Sequence, residues 1–352
     1  MNITIKKLEK SEVEIVGNLE WAEFEKYEGK ALVAISERLE LPGFRKGKAP
    51  SNIVRENASE MMILEEMAER ALYDAYPKII EDHKIDAIGR PQIAITKIAK
   101  GSDLEFKIVT AVLPEMTLPD YKKMAHDTKV KNPVVEINVD EAEVEKTILD
   151  LRKMRAEQAR PKHEHEDSEE SHDHPEITEA EYPEFNDDFA KSFGDFANAD
   201  AFKDKIRSNM KIEKETIEKD KLRMNIVEEL LEETKGEIPE VLIESETDKI
   251  LYKLQADITN MGFKFEDYLA QISKTEAELR TEWRTDAEKR AKLQMIVHTI
   301  LKNESLNPSE EEIEKEVQNI LTMYKDADPV RARAYIENML ENEKVFQFLE
   351  NQ

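Results

Sequence analysis

The sequence contains no cysteine, so disulfide bonds, thiolate metal sites and cysteine nucleophiles are all excluded. Glycine and proline are also scarce, with 9 and 13 among 352 residues, and this scarcity favours long helices. No apolar run approaches the roughly 18 residues that a membrane span needs, and the N-terminal segment lacks the apolar core of a signal peptide. The sequence therefore predicts a cytoplasmic protein without a membrane partner.

Acidic charge is what the chain has in excess. Its formal net charge is -26, and residues 1–112 carry only -3 of that total because 17 Lys and Arg there offset 20 Asp and Glu. Residues 113–352 therefore carry -23 and should be repelled by nucleic acid, which excludes DNA as a partner and restricts any RNA contact to a locally basic spot.

Residues 1–112 predict an α+β head. Two hairpins are indicated by alternating apolar residues, one within residues 2–19 and one from "PQIAITKIA" to "LEFKIVTAVLP", residues 91–114. Helical spacing of apolar residues between the hairpins predicts an amphipathic helix from Ala22 to Leu39 and a longer one capped by Ser59.

The rest of the chain predicts a mostly α-helical, elongated body reached through a connector. Residues 113–161 read as an extended connector and a first helix, which Asn138 and Glu141 would begin as a capping box. Residues 162–184 are acidic and rich in histidine, which predicts a flexible linker. Residues 185–352 show helical apolar stripes, and one of these helices should be capped at Asn307 and Pro308.

The basic spot on the head is "LPGFRKGKAPSNIVRE", residues 41–56. Arg45, Lys46, Lys48 and Arg55 face only Glu56 within this segment, and Phe44 stands among them. An aromatic ring among cations on a loop between helices suits docking onto an acidic or phosphate-bearing partner. An ordinary helix connector with its Phe ring folded into the core is the alternative, and composition alone does not separate the two.

The order of motifs resembles the trigger factor family of bacterial ribosome-associated chaperones. "GFRKGKAP", residues 43–50, matches that family's G-F-R-x-G-x-x-P loop, and the flanking hairpins and helices follow the same order. "FNDDFAKSFG", residues 185–194, and "EIPEVLIESETDKI", residues 237–250, are similar to segments of the family's helical domain. The resemblance covers most of the chain.

The resemblance implies a chaperone that works without ATP, docks at the ribosomal exit tunnel and shields nascent polypeptides. The sequence contains no glycine-rich phosphate-binding loop, so it gives no indication of ATP use. No cofactor and no catalytic residue are predicted. The implied partners are unfolded nascent chains and the large ribosomal subunit, through a ribosomal protein or ribosomal RNA, with a homodimer as a candidate state off the ribosome. The docking residues implied by the motif are Gly43, Phe44, Arg45, Lys46, Gly47, Lys48 and Pro50.

The chain departs from the family where an FKBP-type peptidyl-prolyl isomerase domain usually stands. Residues 162–184 hold no strand pattern, and a domain shorter than about 40 residues rarely folds unaided. We therefore expect no isomerase activity, although the family label implies it. A peptidyl-prolyl isomerase and a chaperone that does not bind ribosomes remain the alternatives.

Two further sets of residues are candidates for binding. His163, His165, His172 and His174 form two H-x-H pairs among carboxylates and could hold Zn²⁺ or Ni²⁺ weakly, although a solvated linker is the favoured interpretation. Flexible and aromatic side chains suit a surface that accepts many apolar sequences, although each could instead pack helix against helix. The candidates for a client surface are Met261, Phe263, Phe265, Tyr268, Met323 and Tyr324.

Overall fold

The computed structural model describes residues 1–40, 42–133, 137–159 and 178–352. They form two compact units, one made of Met1–Pro119 with Leu230–Val345 and one of Asp120–Glu229 with Phe346–Gln352. Within the described ranges, no helix combines the length and apolar character that a bilayer span requires. The predicted domains are consecutive segments of the chain, whereas each compact unit combines segments that are distant in sequence. The predicted domain boundaries therefore stay predictions.

The first unit opens with the α+β head, which confirms the predicted fold class of this region. Both predicted hairpins form, and the sheet is antiparallel in the order β1-β2-β4-β3. The head elements are β1 (Asn2–Lys7), β2 (Glu12–Leu19), α1 (Trp21–Phe24), α2 (Glu28–Arg38), α3 (Ser51–Asn57), α4 (Glu60–Asp82), β3 (Ala87–Lys97) and β4 (Leu104–Val112).

The core of the head lies between one face of the sheet and helices α2 and α4. Alternation along the central strands places Ile15, Phe106 and Ile108 on that face, and all three are fully buried. Helix α4 begins as predicted, because the Ser59 hydroxyl accepts a hydrogen bond from the Met62 N–H at 3.2 Å.

The remainder of the first unit is helical. Its helices are α9 (Glu240–Asn260), α10 (Phe265–Gln271), α11 (Glu276–Glu304), α12 (Glu310–Met323) and α13 (Pro329–Glu350) as far as Val345. Ile243 of α9 packs against Ala287 and Ala291 of α11, where small side chains let the helices approach closely. The predicted cap at Asn307 and Pro308 is wrong. Ser309 caps α12 instead, since its side chain and that of Glu312 each accept from the other's N–H.

The second unit consists of helices around an aromatic cluster. They are α5 (Tyr121–Lys131), α6 (Glu141–Ala159), α7 (Asp187–Lys191) and α8 (Ala199–Glu233) as far as Glu229. Val144 of α6 and Phe189 of α7 pack with Phe202 of α8, so the helical body is confirmed here too. The capping box of α6 differs from the predicted one, because the Asp140 N–H donates to the Glu143 carboxylate at 3.1 Å.

Candidate binding sites

The basic loop, defined here as residues 42–50, connects α2 to α3 and is fixed at its C-terminal half. The Gly47 N–H donates to the Ser36 carbonyl oxygen at 2.8 Å, which ties the loop to the last turn of α2. Ala49 packs against the head core, and the Pro50 carbonyl oxygen accepts hydrogen bonds from the N–H groups of Ile53 and Val54 in the first turn of α3. The tip of the basic loop therefore projects from a base held on both sides by helices.

Two glycines give the basic loop its path. Gly43 has φ of 86° and Gly47 has φ of 74°, a left-handed backbone region that other residues adopt only with strain. A Cβ atom at Gly43 would meet nothing within 4 Å, and one at Gly47 would lie an ordinary 3.4 Å from Cγ of Glu37. Backbone conformation, and not lack of space, is the reason for glycine at both positions.

Two of the four cations in the segment are already paired with acids of the head. The Lys46 ammonium lies 2.8 Å from the Glu40 carboxylate, and its hydrogen bond lowers the pKa of Glu40. Arg55 lies 2.5 Å from the carboxylate of Glu28, a residue of α2. Glu56 is the only acid within residues 41–56, but two acids outside that segment, Glu40 and Glu28, lie beside two of its cations.

Arg45 and Lys48 keep their charges available at the tip. Neither forms an ion pair within 4.0 Å with any residue that the structure describes. The ring of Phe44 is 42% exposed and takes no part in the head core, so the alternative in which it folds inward is wrong. An exposed ring on the same loop as two such cations can enter an apolar depression while the cations bind carboxylates or phosphates.

A buried carboxylate of the head, next to the end of α2, was not predicted from the sequence. Glu66 of α4 is only 6% exposed, with one oxygen 3.0 Å from Arg38, the last residue of α2, and the other 2.8 Å from Arg70. This double contact joins the end of α2, where the basic loop departs, to α4. The available signal was an acid inside an apolar stripe, because Ile63 and Met67 on the same helix face are buried.

Four of the six candidate client residues are exposed at helix ends. Met261 and Phe263 are 68% and 66% exposed after α9, which ends in a Schellman turn at Gly262, where φ is 84°. Met323 and Tyr324 are 70% and 66% exposed at the end of α12. Each pair lies at a turn between helices, where its side chains have no helix face to cover them.

The other two candidates do not lie open at the surface. Phe265 is 9% exposed and packs with Leu251 and Ile258 because α10 folds back on α9, so its proposed exposure is wrong. Tyr268 is half-buried against the same cluster. The structure also exposes large side chains that the sequence analysis did not select, and these include Tyr252, Val330 and Tyr335.

The candidate metal ligands His163, His165, His172 and His174 lie outside the described residues. Among the residues that are described, no group of three or more histidines and carboxylates is arranged to hold a metal ion.

Family comparisons match both ends of the chain. Residues 1–151 match a family model described as bacterial trigger factor protein, and residues 198–352 match one described as the C-terminus of bacterial trigger factor protein. The interval 152–197 lies between the two matched segments. Its described part from residue 178 includes α7, whose Phe189 belongs to the aromatic cluster of the second unit.

Individual relatives agree with the family models. The chain is 25% identical to a trigger factor of Caldicellulosiruptor bescii over 404 positions, which cover 95% of this chain and 91% of the relative. It is 26% identical to a trigger factor of Clostridium acetobutylicum over 424 positions, which cover 99% and 98%. Both alignments exceed the 352 residues of this chain, so these relatives contain positions that it lacks.

One solved structure shares the fold over the full length of both chains. It was described under the words "Promiscuous Substrate Recognition in Folding and Assembly Activities of the Trigger Factor Chaperone". Its TM-score is 0.55 at 18% sequence identity.

Proposed function

Because the chain belongs to the trigger factor family, we propose that it is an ATP-independent chaperone that docks at the ribosomal exit tunnel and shields nascent polypeptides. The observation that carries this proposal is the tip of the basic loop, where exposed Phe44 is close in sequence to Arg45 and Lys48, two cations without an ion pair among the described residues. The large ribosomal subunit offers acidic protein surfaces and RNA phosphates, and both are chemical partners for these groups.

The docking residues have separate roles in this proposal. Phe44 supplies an apolar anchor, Arg45 and Lys48 supply charge, and Lys46 contributes less because Glu40 already neutralises it. Gly43, Gly47 and Pro50 shape the basic loop and hold its tip away from the head core.

Ribosome co-sedimentation tests the docking role. A variant with Phe44→Ala, Arg45→Ala and Lys48→Ala should no longer sediment with ribosomes while its circular dichroism stays unchanged. Lys30→Ala is the matched control, since Lys30 is an exposed cation on the same head but pairs with Asp74. Undiminished sedimentation of the triple variant would exclude the basic loop as the docking site and favour a chaperone that works without ribosomes.

Clients would contact the exposed helix ends. Met261, Phe263, Met323 and Tyr324 offer flexible or aromatic side chains to apolar segments, and Tyr268 adds a partly covered ring at the same end of α9. The net charge of -26 opposes non-specific aggregation of a protein with such exposed side chains. A cytoplasmic location and a homodimer off the ribosome complete the proposal.

We further propose that this chain lacks peptidyl-prolyl isomerase activity. The family models leave residues 152–197 unmatched, and their described part includes the end of α6 and all of α7, with Phe189 in the aromatic cluster of the second unit. The stretch 160–177 is too short for a domain with its own core. A protease-free proline isomerisation assay should give the uncatalysed rate, and clear catalysis would instead favour the isomerase alternative.

A further inference from the structure

The outer edge of β3 is open along residues 92–96. The strand order places β3 at one end of the sheet, and within the described ranges no strand pairs with its outer side. Helix α9 approaches the first half of β3, because a Cβ atom at Gly89 would lie 2.7 Å from the side chain of Val241. The second half therefore presents backbone N–H and C=O groups with no partner strand.

The open stretch of β3 also carries apolar side chains beyond the cover of the head helices. Ile93 is in register with Ile108, and Ile95 with Phe106, so these side chains share the apolar face of the sheet. Ile108 and Phe106 are fully buried, whereas Ile93 and Ile95 are 46% and 38% exposed. The apolar face of the sheet thus extends beyond the part that the head helices cover, as far as the edge strand β3.

The two ends of the open stretch limit its length. Pro91 precedes it at a register irregularity and has no N–H to offer a new strand. A second register irregularity lies between Ile95 and Lys97, and Lys97 pairs with Glu105 at 3.1 Å, which places charge at the other end. The opening accepts about five residues of an extended chain, or roughly 17 Å at 3.3 Å per residue.

We propose that residues 92–96 bind an extended segment of an unfolded polypeptide by adding it to the sheet as a further strand. The proposal rests on the proposed chaperone function, since that function supplies unfolded chains as partners. Main-chain hydrogen bonds would hold segments of many sequences, and Ile93 and Ile95 would contact alternate apolar side chains of the segment.

A second copy of this chain fits the edge less well. A ribbon of about five residues buries far less surface than the roughly 1,200 Å² that stable interfaces begin at. A short, unfolded segment that binds weakly and leaves again fits an opening of this size.

Binding of a fluorescent peptide with alternating Val and Thr tests this proposal. Anisotropy should show that Ile93→Lys with Ile95→Lys weakens binding by roughly tenfold. Thr4→Lys is the matched control, because Thr4 is exposed on β1, at the opposite end of the same sheet, and its replacement should change affinity less than about twofold. The same peptide N-methylated at alternate residues should bind the wild type as weakly as the double variant binds the unmodified peptide.

Equal binding of the plain and N-methylated peptides would overturn the proposal, since strand addition needs free amides. A dimer that sediments as a monomer after Ile93→Lys and Ile95→Lys would also overturn it in favour of a second copy. Ribosome co-sedimentation and suppression of aggregation by the same variants separate this inference from the proposed function. If both persist while peptide binding at the edge is absent, only the inference fails, whereas their absence in the wild type would refute the proposed function itself.

Discussion

Replacement of Glu66 should destabilise the head more than replacement of any neighbouring acid on α4. Its buried carboxylate accepts hydrogen bonds at 3.0 Å from Arg38 and at 2.9 and 2.8 Å from two nitrogens of Arg70. Hydrogen bonds to charged groups contribute about 1.5–3 kcal/mol each to the free energy of unfolding. Because Arg38 and Arg70 are 68% and 38% exposed, water would replace much of what they lose. We expect Glu66→Ala to cost about 2 kcal/mol and Glu66→Gln about 1 kcal/mol.

Urea unfolding followed by fluorescence of Trp21 measures this loss in the head. The chain has two tryptophans, so Trp283→Phe serves as the background. A loss of about 2 kcal/mol should lower the urea midpoint by roughly 1 M for a slope near 2 kcal/mol per M. Glu65→Gln is the control on the exposed face of α4 and should leave the midpoint unchanged. The reasoning is refuted if Glu66→Ala unfolds at the wild-type midpoint, or if Glu65→Gln lowers it equally.

The other expected outcomes concern the helical part of the first unit. Phe265→Ala should lower the free energy of unfolding by about 3 kcal/mol because its ring is buried, as urea unfolding would show. Phe263→Ala should leave stability within about 0.5 kcal/mol but weaken suppression of aggregation, because its ring is exposed. Hydrogen bonds from Ser309 and Lys344 lower the pKa of Glu312 from 4.5 to about 2. Its cap of α12 should therefore be fully effective above pH 4.5 and be lost as the pH falls towards 2, so the difference in Tm between wild type and Glu312→Gln should shrink over that range.

Each of these outcomes has a comparison within the chain. The two phenylalanine variants control each other, and equal losses of stability would contradict the assigned burial. Glu311→Gln is the control for the pH measurement, since Glu311 is exposed in the same turn and takes no part in the capping box. A Tm difference for Glu312→Gln that stays constant from pH 6 to pH 2 would contradict its capping role.

The spacing of apolar residues and the positions of turn and capping residues predicted the strands and helices, but did not predict where every helix begins. The alternation in residues 2–19 and the stripe after Ser59 predicted the first hairpin and α4 as the structure has them. At α6 the same capping spacing fits Asn138 with Glu141 and Asp140 with Glu143, and spacing alone does not decide between them. The two possible starts of α6 differ by two residues, and tertiary packing decides between them.

The candidate sites were predicted where they depend on local residues and missed where they depend on distant ones. The turn glycines of the basic loop follow from the segment itself, whereas its composition left the exposure of Phe44 open. The pairing of Arg55 with Glu28 and the burial of Phe265 against Ile258 depend on how separate elements meet. In a chain with 78 acidic residues, no sequence pattern marks which acid will meet which cation.

The affinity of single-site variants for isolated ribosomes is the most direct test of docking through the basic loop. Arg45→Ala and Lys48→Ala should each weaken binding by roughly tenfold, the loss of one charge-assisted contact of about 1.4 kcal/mol. Lys46→Ala should change it by less than about threefold, because Glu40 already pairs with Lys46 in the free protein. Wild-type affinity for Arg45→Ala and Lys48→Ala would contradict the account, and so would a loss confined to Lys46→Ala.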